Sequence, residues 1–251
     1  MFNPRMNGPF GRGGAFGGSR YQYQQVPYGY EAVQASGLIS KVMGLLAFAF
    51  LFAFIGTFAG FFLVHTITTY WIVAIAGLVV LFILNFAINT AGLNLFLLYL
   101  FTFLEGMALA PLIAAYLSVG YSNILGEAFL ITAITSLSLS VYAWTTKRNF
   151  SGLRAYLFFG LILLIVASIA GIFFGGIFNT GLLGLIICVL GIAIFSGYVL
   201  YYVQRAKYMA DTMPNAIGLT VSIFITVLNL FLYILELLTI LQGGNRRRGG
   251  L

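Results

Sequence analysis

Between Lys41 and Glu105 the chain has no Asp, Glu, Lys or Arg, and the same is true between Arg154 and Arg205. A water-soluble domain must cover its outside with charge and can dispense with it only inside. Charge-free stretches this long cannot all be interior, so the solvent around them is lipid. Composition agrees: charged residues make up 7% of the chain, against about 25% in a typical globular domain.

Seven apolar segments are predicted to cross the bilayer, at residues 42–64, 71–91, 94–118, 123–145, 155–178, 182–203 and 217–241. Each supplies the ~20 residues that a helix needs to span a hydrocarbon core of ~30 Å. Polar or turn residues end them, and most loops are short, so successive helices are expected to be antiparallel neighbours. The predicted fold class is therefore an all-α polytopic bundle of seven transmembrane helices. Residues 1–40 are rich in Gly, Tyr, Gln and Asn and lack periodicity, which predicts a flexible tail. No apolar run follows Arg5, Arg12 and Arg20, so they do not begin a signal peptide. Residues 41–241 form the membrane domain, and 242–251 a short basic tail.

Basic residues set the orientation. Lys147, Arg148 and Arg154 lie between helices four and five, Arg205 and Lys207 between six and seven, and Lys41 before helix one. Seven spans put these clusters on one side, expected to be cytoplasmic together with the N-terminus. The Arg246 to Arg248 run falls on the far side, as an exception. Asp211 is expected to pair with Arg205 or Lys207 in its loop. Two Gly-x-x-x-Gly pairs, Gly56/Gly60 and Gly171/Gly175, predict close helix packing within the bundle. Pro111 is expected to kink helix three.

Ionisable or hydrogen-bonding groups within the apolar zone need an explanation. On the last helix Ser222, Thr226, Asn229, Tyr233 and Glu236 recur at spacings of four and three, which puts them on one face. Lipid cannot satisfy that face. It is either a hydrogen-bonded packing seam or a hydrated cation path, and in both cases helix seven should be enclosed by other helices. Glu105 stands in the middle of helix three, where a charge costs at least ~2.5–3.5 kcal/mol. It must be protonated, paired with Arg205, Lys207 or Lys41, or face a wet cavity. Glu127 and Glu236 lie nearer helix ends. One His, one Asp and the single Cys188 provide neither a metal-ligand cluster nor a nucleophilic triad. No phosphate-binding loop motif is present, and nucleic acid is not an expected partner. The sequence thus points to a protein that is not an enzyme and has no cofactor.

Four segments resemble the Bax inhibitor-1 family of seven-helix membrane proteins, which has bacterial members. They are FTFLEGMALAPLIAAYL from Phe101, AFLITAITSLSLSVYAWTTKRNFSGL from Ala128, IFSGYVLYYVQ from Ile194 and NLFLYILELL from Asn229. The resemblance covers most of residues 40–241, and the run Thr145 to Phe150 is its most specific piece. It implies six helices surrounding a central seventh. It also implies either a pH-sensitive calcium leak channel or a protein that restrains a membrane-anchored AAA protease. The family's channel uses two aspartates, whose positions here are Tyr202 and Thr226, and the family's Arg after Tyr-Ile-Leu is replaced by Glu236. Two carboxylates can share a proton and gate with pH; Tyr and Thr cannot. The leading expectation is therefore a modulator of a membrane protease or a stress response, in a bacterial inner membrane or alternatively an organellar one. A calcium or proton leak and an accessory subunit of a larger membrane complex are the alternatives.

Overall fold

The computed structural model describes residues 31–174 and 181–248, with side chains for 37–171 and 182–242. Arg5, Arg12, Arg20 and Gly175, and the side chains of Arg246 to Arg248, lie outside the described residues. Seven helices make up the described chain: α1 (Glu31–Leu63), α2 (Ile67–Ala87), α3 (Leu93–Ser118), α4 (Ser122–Thr145), α5 (Leu153–Phe174), α6 (Gly181–Ala206) and α7 (Met213–Arg248). All seven are long and apolar enough to cross a membrane. In hydrocarbon a helix is the local answer to the backbone's need for hydrogen bonds, because every N–H and C=O is satisfied within the segment.

Several boundaries differ from expectation. α1 begins at Glu31, so its helix takes in the last ten residues of the region expected to be a flexible tail. α2 begins four residues early because Thr66 and Thr69 form a reciprocal capping box, which satisfies otherwise orphaned N–H groups. α7 begins at Met213 and continues to Arg248, through the first residues of the expected basic tail.

The tightest seam joins α1 to α3. Ala49, Ala53, Gly56, Thr57 and Gly60 recur along one face of α1, and that face lies on the α3 backbone. A methyl group on Gly56 would fall 2.0 Å from the Phe103 carbonyl oxygen, and one on Gly106 would fall 1.9 Å from that of Ala53. The Thr57 hydroxyl adds a bond across the seam to the Gly106 carbonyl at 2.9 Å. α3 runs unbroken through Pro111. The Met107 carbonyl, which loses its helical donor to Pro111, lies against Gly60. The Gly56/Gly60 pair therefore packs two helices of one bundle.

α7 packs directly on α6, α1, α4 and α3, whereas α2 packs on α3 and α5 on α6. Four of the six helices expected around α7 thus touch it closely. Its Ala216, Ile217, Phe224, Leu230 and Leu235 are nearly or wholly buried. Phe224 joins a core with Phe101 of α3 and Leu45 of α1, and Leu230 and Leu235 join a second with Phe195 of α6 and Leu125 of α4.

Because the α1–α3 backbones touch, Gly106→Ala should lower the thermal midpoint in detergent, at a cost of about 1–3 kcal/mol. Gly44, beside which an added methyl meets nothing, is the matched control. Gly44→Ala should leave the midpoint unchanged or slightly higher.

Candidate functional site

The polar stripe of α7 divides into two parts. Ser222, Thr226 and Asn229 line a cavity of about 470 Å³ between α2, α5, α6 and α7. Asn85 of α2 and Tyr198 and Tyr202 of α6 complete its polar lining, and aliphatic residues including Leu81, Leu161 and Ile165 form the rest. No lining residue is charged. The three α7 donors turn back on their own helix. Ser222 Oγ donates to the Gly218 carbonyl at 2.8 Å, Thr226 Oγ1 to that of Ser222 at 2.7 Å, and Asn229 Nδ2 to that of Ile225 at 2.8 Å. Asn85 Nδ2 likewise donates to the Leu81 carbonyl at 2.9 Å. The Ser222 and Thr226 hydroxyl donors are thus used internally and their oxygens keep acceptor capacity, while Asn85 and Asn229 each keep a carbonyl oxygen and a second amide N–H.

The other part of the stripe is packed against protein. The Tyr233 ring stacks on Phe195, with centroids 5.7 Å apart. It also covers Gly191, where a methyl group would fall 2.6 Å from the ring. Ser168 of α5, whose hydroxyl donates to the Leu164 carbonyl at 2.9 Å, is its neighbour. Glu236 lies beside Cys188, which is wholly buried. A single face is therefore cavity wall at one end and packed against protein at the other.

Glu105 is not on this face. Its carboxylate lies against Gly77 of α2, where a methyl group would sit 3.4 Å from Oε1. Among the described residues it forms no ion pair. The position is set by α3 itself: Gly106 faces α1, and the neighbouring residue is turned to α2.

The positively charged clusters meet at one end of the bundle. Asp211 pairs with Lys41 at 2.9 Å, a partner from the first helix in place of the expected loop neighbours. Lys207 Nζ stands 5.3 Å from the centre of the Trp144 ring. Burial lowers its pKa from the ordinary lysine value, since desolvation disfavours the ammonium. Gln204, 4% exposed, joins α6 to the α4–α5 loop: its Nε2 donates to the Arg148 carbonyl and its Oε1 accepts from the Phe150 N–H. Arg154 opens α5 at the same end, beside the loop that carries Lys147.

A family model described as inhibitor of apoptosis-promoting Bax1 matches residues 35–243. The chain belongs to the Bax inhibitor-1 family. An uncharacterised Campylobacter jejuni protein is 30% identical over 85% of this chain and 91% of its own length. Mouse protein lifeguard 4 is 29% identical over 66% of each chain. A vaccinia virus Golgi anti-apoptotic protein is 29% identical over 59% of each. In this Bax inhibitor-1 member Tyr202 and Thr226, the two positions to which the resemblance assigns the aspartates, both line the one cavity. Gln204 also joins two of the segments that carry the resemblance, the run ending at Gln204 and the run Thr145 to Phe150.

Sequence reasoning missed Asn85, Tyr198 and Gln204. A lone amide in an otherwise apolar span was a readable sign for Asn85. Gln204 gave no such sign, since the end of a span is an ordinary place for a glutamine. Gln204→Leu should leave a carbonyl and an N–H without partners, at a cost of about 1–3 kcal/mol. Faster hydrogen exchange at the Phe150 amide, with α1–α3 amides unchanged, is the expected result.

Proposed function

We propose that this Bax inhibitor-1 protein acts through protein contacts within the membrane, as a modulator of a membrane-anchored AAA protease or of a stress response, and does not conduct ions. One observation supports this most. Tyr202 and Thr226 share a cavity, as the resemblance implies for the aspartate pair, but the lining contains no carboxylate. Calcium favours several oxygen ligands that include carboxylate charge, and a proton-sharing gate needs two titrating groups. The cavity keeps the place of such a gate without its chemistry. The names of the mouse and viral relatives, lifeguard and anti-apoptotic protein, describe protective roles for those proteins, in keeping with restraint of another machine. We place the protein in a bacterial inner membrane, with the end that carries Lys41, Arg148 and Lys207 toward the cytoplasm by the positive-inside rule. The α4–α5 loop held by Gln204 at that end offers a fixed surface to a partner.

Affinity isolation in mild detergent at native expression should recover a membrane protease or its scaffold. Recovery of lipid and the protein alone would count against the proposal. Migration with one large assembly in fixed proportion would favour the accessory-subunit reading instead.

The row of Ser222, Thr226 and Asn229 favours a second reading, a cation leak. In vesicles loaded with a calcium indicator, the purified protein should give no flux above empty vesicles. The double substitution Tyr202→Asp with Thr226→Asp should create a calcium flux that varies with pH. Flux from the unsubstituted chain that is lost in Glu105→Gln would overturn the contact reading.

A further inference from the structure

We propose that the cavity between α2, α5, α6 and α7 binds a bilayer lipid whose polar end is an uncharged hydroxyl, admitted sideways between α2 and α5. The proposal does not depend on the contact or the channel reading.

Four features of the cavity support it. The first is access: α2 and α5 make no substantial packing contact with each other, and Asn85 and Ile165 on their facing rims are both exposed, Ile165 by half. In a bilayer that gap is filled by acyl chains rather than by water. The second is polarity. The floor of the cavity is Ser222, Thr226 and Asn229: the two hydroxyl donors and one Asn229 N–H are bonded to their own helix, so it presents acceptor oxygens and the second amide N–H of Asn229. A ligand that both donates and accepts completes these groups, which a hydroxyl does and an ester or a phosphate diester, able only to accept, does not. The third is charge. No lining residue is ionisable at neutral pH, and a charged headgroup drawn from the interface into this site would lose its hydration without gaining a counter-ion. The fourth is size and depth. About 470 Å³ falls within the range of roughly 300–1,000 Å³ for small-molecule pockets, enough for a small polar end and the first part of a chain. The lining comes from the C-terminal turns of α2, the C-terminal half of α6, the middle of α5 and the N-terminal half of α7. All of these lie toward the end that carries the basic loops, so the lipid comes from that leaflet.

Photolabelling tests the assignment. The full-length protein, in phosphatidylcholine vesicles, is exposed to a trace of 1,2-diacylglycerol with a diazirine in one chain, and adducts are mapped by peptide mass. Adducts are expected on α5 and α7 residues that line the cavity, and excess unlabelled diacylglycerol should compete them away. Thr226→Val should reduce labelling about fivefold, the value of one hydrogen bond of ~1 kcal/mol. Ile165→Trp, which fills the mouth from a lipid-exposed position and so spares the packed core, should abolish it. Phe159→Trp, on the same helix and 69% exposed but not part of the lining, should leave it unchanged. Equal labelling by a diazirine phosphatidic acid, or labelling spread evenly over exposed faces, would overturn the proposal.

Discussion

The approach of α1 to α3 is the contact on which the rest of the bundle depends. Lipid tails are as apolar as leucine, so burying leucine between two helices in a bilayer gains little. Association must come from close contact, and close contact needs the side chains out of the way. Ala53, Gly56 and Gly60 on one helix and Gly106 on the other bring main chain to within van der Waals distance of main chain. A hydroxyl of Thr57 then bonds across the gap. Once joined, α1 and α3 form the wall on which α7 lies through Leu45, Phe101 and Phe224.

The same reasoning explains how α7 can carry five polar side chains through hydrocarbon. An unsatisfied donor at that depth is costly. Ser222 and Thr226 remove the cost locally by donating their hydroxyl to the carbonyl four residues back, and Asn229 satisfies one of its two N–H groups in the same way. A face satisfied in this way can border a cavity. Among the described residues, Tyr233 and Glu236 make no such bond to their own helix and lie instead beside Ser168 and Cys188 of neighbouring helices, with the Tyr233 ring packed on Phe195. The division of the stripe into an open and a closed part follows from which residues bond to their own helix and which do not.

The spans were legible because absence of charge is a one-dimensional property, visible without knowing who neighbours whom. The α1–α3 glycines were legible as a spacing, and the α7 stripe as a periodicity. What could not be read was long-range pairing. Asp211 has basic residues four and six positions before it, yet Lys41 holds it, because the bundle returns the start of α1 to the α6–α7 loop. Glu105 was readable as an anomaly but not as a direction: only the demand that Gly106 face α1 turns it to α2. The start of α2 was misplaced because Tyr70 and Trp71 read as interfacial, whereas the Thr66–Thr69 box sets the first turn. Gln204 was unreadable because its work is done on backbone groups of a loop distant in sequence.

The neutrality of the cavity and its sideways opening are two aspects of one constraint. A carboxylate pair in that place would need water or a cation within reach to stay ionised, and a cavity that holds water cannot also lie open to acyl chains. Tyr202 and Thr226 remove the requirement. They leave a polar floor that hydrogen-bonds without charge, so α2 and α5 are free to stand apart. The positions to which the resemblance assigns a titrating pair are therefore the ones at which this chain leaves the cavity wall uncharged.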